Sequence, residues 1–191
     1  MLSVGFFSGL KVCRDQMWMA CQNYLKAQNF YDYRLYSSLG FTDDEIDVIR
    51  DQMDPKGAVI QSIEGMKSTD AAGTYDDTKG TAHSGTFLLM SVPEKVNIPS
   101  LVSGRMPEAD DECVVDDRVA GSRIVGSTIT FSGSGSIDNV GLKNRTYKVV
   151  GTVDSPLYLN NDRGSSTIDS AKRTGFVYLS ENNFTSPRYT E

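Results

Sequence analysis

Apolar residues recur at helical spacing in the first part of the chain. Residues 6–28 contain no proline, and the apolar positions there are three or four residues apart: Leu10, Cys13, Met17, Cys21 or Ala20, and Tyr24. A stripe of this kind is typical of an amphipathic helix with one buried face. We therefore predict a helix within 6–28, and we expect its Met-, Trp- and Tyr-rich face to pack in a core rather than to hold a cofactor.

The next pattern predicts a strand–helix–strand unit. Residues 30–38, FYDYRLYSS, alternate aromatic or aliphatic with polar side chains, as a half-buried strand does. Thr42 and Glu45 have the T-x-x-E spacing of a capping box, which predicts a helix that ends before Asp54-Pro55. Residues 58–64, AVIQSIE, alternate again and predict a second strand. Together these segments predict a βαβ-like unit.

The second half of the chain is dominated by short apolar runs, which predict strands over 86–92, 112–116, 127–131, 147–153 and 175–179. The segments 67–85 and 132–145 are rich in Ser, Thr, Gly and Asp and predict loops or hairpin tips. Gly151 lies inside its run and predicts a bulge or bend. A βαβ-like half followed by a strand-rich half indicates an α+β chain of two subdomains.

Composition and charge exclude several classes of function. The chain has 191 residues, of which 19 are basic and 25 acidic, so its net charge is −6. Because phosphate backbones are bound by concentrated basic surfaces, we predict no nucleic-acid partner. Three cysteines without a CxxC spacing and a single histidine, His83, predict no metal site and no cofactor. No run of eighteen apolar residues occurs, so we expect no membrane span in the chain as given.

Reactive groups are not arranged as in a known class of active site. No serine lies in a G-x-S-x-G elbow, and SGSGS at 132–136 lacks the lysine of a P-loop. The acids at 108–112 and the pair Asp116-Asp117 could supply calcium ligands or a carboxylate pair for glycoside hydrolysis. Neither the calcium-loop spacing nor an aromatic sugar platform accompanies them. We therefore predict a protein that is not an enzyme and has no catalytic residues.

Four blocks of the sequence resemble one family of transporters. They are DYRLYSSLGFTDDEIDVIR at 32–50, LVSGRMPEADDECVVD at 101–116, TYKVVGTVDSPLYL at 146–159 and GFVYLSENNF at 175–184. In order and spacing they are similar to the extracytoplasmic core domain of FtsX-like and MacB-like ABC transporter permeases of the Gram-positive type. The resemblance covers most of the chain.

This resemblance implies an architecture and a cellular setting. Residues 1–28 would be a stalk helix that extends the first membrane helix; 29–103 with 172–191 would form a porter-like α/β subdomain, and 104–171 a β-rich, Sabre-like subdomain. The domain would lie on the extracytoplasmic face of the cell membrane. Its partners would be a cytoplasmic ATP-binding subunit acting through the membrane helices, a second or related permease copy, and an extracytoplasmic substrate or protein.

The mechanism that the resemblance implies is mechanical. ATP-driven movement of the membrane helices would be passed to the outer domain, for transport or for signalling in peptide resistance, lipoprotein handling or cell-wall regulation. The segment 101–107 joins the two predicted subdomains, so we expect a hinge at Gly104 and Pro107, with Arg105 anchored to an acid or a backbone carbonyl. The alternative is a secreted or surface module that binds a ligand or cation without a transporter.

Overall fold

A single sheet organises the protein. The computed structural model describes residues 2–51, 60–132, 141–168 and 172–191. Within these ranges the elements are, in chain order, α1 (Leu2–Ala27), α2 (Asp43–Arg50), β1 (Ser68–Asp76), β2 (Ala82–Ser91), β3 (Ser100–Gly104), β4 (Glu112–Asp116), α3 (Asp117–Ala120), β5 (Thr128–Ser132), β6 (Thr146–Asp154) and β7 (Gly175–Leu179), with short 3-10 helices at Gly121–Ile124 and Glu181–Asn183. The predicted α+β class is confirmed.

The sheet closes on itself. Its strand order is β3-β6-β4-β7-β2-β1-β5, and β5 also pairs with the first part of β6. Six strands therefore form a ring, and β3 extends the sheet from the second half of β6. The pairs β2–β7 and β4–β6 are parallel, and the other pairs are antiparallel.

The interior of the ring is filled by alternate residues of all six strands. Phe87, Phe131 and Tyr147 form a chain of rings with centroids 6.1 and 5.9 Å apart, and all three are fully buried. A Cβ at Gly73 would lie 2.8 Å from the Phe87 ring, so this position of β1 accepts only glycine. Small residues on β1 thus make room for large ones on its neighbours.

A second apolar cluster lies on the outer face of the sheet. Leu88, Met90, Val114, Phe176 and Tyr178 form it with Val150 and Val153, and Leu157 and Tyr158 pack over it. Strands β4 and β7 and residues 86–91 of β2 are consequently buried on both faces. This explains why their sequences are continuous apolar runs, and the strands predicted over 86–92, 112–116 and 175–179 are confirmed. Those predicted over 127–131 and 147–153 are also confirmed.

The N-terminal helix is confirmed, but the expected burial of its apolar face is wrong. Every residue from Cys13 to Ala20 is exposed, and Met17, Trp18 and Met19 keep 70%, 64% and 59% of their surface accessible. Within residues 13–27, the last turns approach the body, where Cys21, Tyr24 and Leu25 are half-buried. The spacing of apolar residues therefore predicted the helix correctly, but it did not predict that residues 13–20 are exposed.

The two strands predicted around α2 are wrong over their described residues. Residues 30–38 form no ladder, and Tyr33 is 90% exposed. Residues 60–64 are also irregular, whereas 58 and 59 lie outside the described residues. The predicted βαβ-like unit is therefore not formed by these residues. The capping box is confirmed, since the Thr42 side chain accepts from the Glu45 N–H and Glu45 from the Thr42 N–H.

The predicted loop at 67–85 is wrong for most of its length. It contains β1 and the start of β2, and only the turn between them, near Gly80, is a hairpin tip. The predicted bulge at Gly151 is confirmed by the register of β4 on β6, in which Cys113 pairs with Val149 but Val114 pairs with Gly151. The described part of the second predicted loop is 132 and 141–145; residues 133–140 lie outside it.

Strands from both predicted subdomains share this sheet. The pair β2–β7 belongs to 29–103 and 172–191, and β7 pairs on its other edge with β4 of 104–171. The division of the chain into those two subdomains stays a prediction.

Candidate functional site: an acidic cleft beside the 101–110 connection

Gly104 ends β3 where two backbones meet. Its φ is +78°, and a Cβ there would lie 2.2 Å from the Val150 carbonyl oxygen. Across the pair, a Cβ at Gly151 would lie 2.5 Å from the Arg105 carbonyl oxygen. Gly104 and Gly151 are paired directly across the β3–β6 ladder. Because neither has a side chain, β3 can lie this close to the bulge of β6.

Arg105 is anchored directly after this contact. Its Nη1 donates to Glu112 Oε2 at 2.7 Å, its Nη2 donates to Glu112 Oε1, and its Nη1 also lies 3.0 Å from the Met106 carbonyl oxygen. The Glu108 N–H donates to the same Glu112 carboxylate at 3.0 Å. The Arg105 guanidinium, together with this N–H, lowers the pKa of Glu112 to about 2. A two-pronged ion pair therefore closes the loop between β3 and β4.

This loop forms one wall of a cleft of about 550 Å³, which we call the acidic cleft. Met106 and Pro107 line it from the loop, α2 contributes Ile46, and the last residues of the chain contribute Tyr189. Among the described residues, six carboxylate side chains line it against two basic ones, Arg50 and Lys95. The carboxylates are those of Asp43, Glu64, Glu94, Glu108, Asp110 and Glu181.

Several of these carboxylates are fixed by hydrogen bonds. Glu64 accepts the backbone N–H groups of Glu94, Lys95 and Val96 at 2.7, 2.9 and 2.7 Å. Asp110 accepts the Ser180 hydroxyl at 2.7 Å. The cleft thus combines pre-positioned carboxylates with others, such as Glu94 and Glu108, whose side chains extend into solvent.

Tyr189 forms the inner corner of the cleft. Its ring occupies the space left by Gly65, where a Cβ would lie 2.5 Å from Tyr189 Cγ. Lys67 Nζ lies 5.0 Å from the ring centroid and 3.0 Å from Glu181 Oε1. Burial raises the pKa of Tyr189 well above its ordinary value, and the neighbouring carboxylates of Asp43 and Glu181 raise it further. The phenol is therefore a hydrogen-bond donor at neutral pH.

The other acids considered from the sequence have structural contacts. Asp116 is fully buried, and its carboxylate receives Arg163 Nε at 2.6 Å and Arg163 Nη2 at 3.0 Å. The Thr152 hydroxyl donates to Asp117 at 2.7 Å. The guanidinium of Arg163 also lies over the rings of Tyr158 and Phe176, 5.1 and 5.5 Å from their centroids. This pair holds the 155–168 segment to the end of β4 and does not face the acidic cleft.

The described residues do not assemble a metal site or a histidine-based site in the cleft. No group of three or more His, Cys, Asp or Glu side chains among them is placed to hold a metal ion. His83 lies in the β1–β2 hairpin, stacked on Tyr75 at 5.0 Å with its Nε2 3.5 Å from Asp77. The chemistry that the cleft offers is the attraction of positive charge and the burial of apolar side chains.

The end of α1 is joined to the segment that leads into β3. The N–H groups of Asn97 and Ile98 donate to the carbonyl oxygens of Asn29 and Gln28 at 3.1 and 3.0 Å. The Asn29 side chain donates to the Lys95 carbonyl oxygen, and the Tyr31 N–H donates to Asn97 Oδ1 at 3.2 Å. The residues directly after α1 are therefore hydrogen-bonded to the segment that precedes β3, and β3 leads directly to the loop that lines the cleft.

Comparison with known proteins gives one structural likeness. No family model matches the chain, and no curated protein sequence matches it. Among solved structures, the chain is similar to the periplasmic region of MacB from Actinobacillus actinomycetemcomitans, with a TM-score of 0.39 and 13% identity over 81% of this chain and 63% of that one. The chain thus spans less than two thirds of that structure. Among the described residues, no helix is both long and apolar enough to cross a bilayer.

Proposed function

We propose that this chain is a non-catalytic extracytoplasmic domain of an ABC transporter permease, of the FtsX-like or MacB-like kind. In it, ATP-driven movement of membrane helices is passed to the outside of the cell for transport or mechanical signalling. In this proposal the energy comes from the cytoplasmic ATP-binding subunit. The domain therefore needs rigid elements that transmit movement, and it does not need a nucleophile.

The observation that carries the proposal is the connection of α1 to the sheet. A helix of 26 residues, exposed over 13–20, is followed by residues 28–31, which make four hydrogen bonds with the segment 95–98. That segment continues into β3, whose end lies against the bulge of β6. A displacement of α1 would therefore move β3 first. This supports the proposal that α1 passes the movement of the membrane helices to the sheet.

The segment 101–107 is the proposed point at which this movement is redirected. Gly104 supplies a left-handed backbone that other residues adopt only with strain, and Pro107 lies in the cleft wall beyond it. Arg105 holds the loop to Glu112, so the rotation would occur at Gly104 while 105–112 moves as one unit. In this proposal the movement of α1 changes the shape of the acidic cleft.

A ligand-binding module without a transporter is the competing proposal, and the acidic cleft is the observation that favours it. The gene discriminates between the two, because a permease encodes membrane helices flanking this segment and a neighbouring ATP-binding subunit. A binding module has no need of either.

The functional test uses the full-length protein with its ATP-binding subunit, reconstituted in proteoliposomes. Arg105→Ala is expected to leave basal ATP hydrolysis intact and to lower its coupling to transport or signalling. The matched control is Arg118→Ala, at an exposed arginine of α3 outside the cleft. Equal coupling in both variants and the wild type would show that the Arg105–Glu112 pair does not transmit movement.

A further inference from the structure

We propose that the acidic cleft binds a basic, amphipathic segment of a partner protein, with Lys or Arg side chains facing the carboxylates and apolar side chains on the floor. The inference goes beyond the proposed function, because it concerns a binding surface of this chain and does not depend on the chain being part of a transporter.

Five apolar side chains, which we call the floor, line the cleft together with its charged and polar groups. They belong to Ile46, Ile63, Val92, Met106 and Pro107. Ile46 is 8% exposed, and the other four are half-exposed rather than solvated. A volume of about 550 Å³ accommodates several side chains of a docked segment. This floor distinguishes the cleft from a solvated acidic surface, because it offers area to bury as well as charge to pair.

The charge of the walls selects the occupant. The described part of the lining has six carboxylates and two basic side chains, in a chain whose net charge is only −6. Glu108 is 81% exposed with its nearest cation, Arg105, 4.0 Å away, and Glu94 is also exposed. Glu94 lies shortly after β2, and Glu108 lies in the loop between β3 and β4. They are therefore available to pair with cationic groups of a docked chain.

Other classes of ligand fit this cleft less well. Anions and nucleic acids are repelled by the excess of carboxylates. A lone metal ion has no group of three ligands among the described residues. Small cations such as polyamines would pair with the walls but would leave the floor unused. A polypeptide segment uses both features, and it can span walls that come from α2, 63–65, 91–95, 106–110 and 180–189.

The test measures binding of labelled peptides to the 191-residue chain by fluorescence anisotropy. A short peptide in which Lys and Leu alternate is expected to bind, and its affinity is expected to fall as salt rises. Two comparison peptides carry Glu in place of Lys, or Ser in place of Leu. Both are expected to bind at least about fivefold more weakly, the first from charge and the second from the unused floor.

Variants of the chain locate the site. Glu94→Gln with Glu108→Gln removes two exposed carboxylates without touching those held by structural hydrogen bonds, and should weaken the Lys-Leu peptide about fivefold. The matched control is Asp76→Asn with Asp154→Asn, which makes the same charge change at exposed positions of β1 and β6 outside the cleft, and should leave affinity unchanged. Thermal unfolding confirms that both double variants fold.

Three results would overturn the inference. The first is equal binding of the Lys-Leu and Glu-Leu peptides; the second is the same affinity in the cleft variant and its control. The third is competition by spermine as effective as by the Lys-Leu peptide, which would make the site one for small cations. None of these measurements involves ATP hydrolysis, so a failure here is distinguishable from a failure of the permease proposal.

Discussion

Replacing Gly104 by alanine tests how closely β3 is fitted to β6. Three costs are expected, one from the backbone conformation and two from the movement that the new side chain forces. A left-handed backbone costs a non-glycine residue about 1 kcal/mol. In addition, the new Cβ would lie 2.2 Å from the Val150 oxygen, where carbon atoms essentially never come within 3.0 Å, so the strand must move by about 0.8 Å.

That movement acts on a specific hydrogen bond. The Arg105 N–H donates to the same Val150 oxygen at 3.0 Å, and lengthening it by the required shift forfeits about 1 kcal/mol. Displacement of β3 from its neighbours adds a cost of about 1 kcal/mol, typical of overpacking. The expected loss of unfolding free energy for Gly104→Ala is therefore about 3 kcal/mol.

Gly80→Ala is the matched control. Gly80 has nearly the same φ, +77°, but no heavy atom lies within 4 Å of the position of its Cβ. Only the backbone cost of about 1 kcal/mol applies there. Urea unfolding of both variants and the wild type gives the comparison, provided that the m-values agree. A difference between the two variants below about 0.5 kcal/mol would refute the close fit of Gly104 to Gly151.

Two further predictions concern ion pairs. Asp116→Asn should destabilise the protein by about 3–5 kcal/mol in urea unfolding, because it leaves the nearly inaccessible Arg163 guanidinium without its counter-charge; a loss like that of the exposed control Asp154→Asn would contradict a buried pair. The second is pH dependence: since the folded-state pKa of Glu112 is about 2, below its ordinary 4.5, this carboxylate stabilises the fold above pH 4.5 and loses that effect as pH falls toward 2. The stability difference between the wild type and Glu112→Gln should therefore shrink between pH 5 and pH 2, and a constant difference would count against the pairing with Arg105.

The elements that were predicted correctly are those whose sequence pattern depends on residues within the element itself. The capping box at Thr42 and Glu45 satisfies its own backbone groups, so it needs no tertiary partner. β2, β4 and β7 contain consecutive apolar residues because these parts of the strands are buried on both faces, and such runs can be recognised without knowing the neighbouring strands.

The incorrect predictions depend on partners far away in the sequence. Residues 30–38 alternate as a strand does, but their neighbours along the chain bond to 95–98 and to the C-terminal residues instead of a ladder. β1 looks like a loop because Ala71 and Gly73 are small, and they are small because the rings of Phe87 and Phe131 occupy the interior beside them. The strand propensity of single residues does not reveal that small side chains on one strand fit large ones on its neighbours.

The acidic cleft was not predictable from sequence for a similar reason. Arg105 was expected to find an acid or a carbonyl, and it contacts one of each, Glu112 and Met106. The carboxylates of Glu64, Glu94 and Glu181, in contrast, come from three distant segments, and each is unremarkable among its sequence neighbours. Only the closure of the sheet brings them to one place. The hinge role of Gly104, Arg105 and Pro107 stays a prediction.

The position of β7 has a consequence for the order in which the chain can mature. β7 lies between β2 and β4, and its pairing joins Phe87 to Gly175. Until residues 175–179 leave the ribosome, the ring has a gap, and the edges of β2 and β4 keep backbone N–H and C=O groups without a strand to pair with. The sheet therefore closes late and through contacts distant in sequence, which slows folding. A nascent or truncated chain that lacks β7 would expose two adhesive strand edges, a substrate for chaperones rather than a partly working domain.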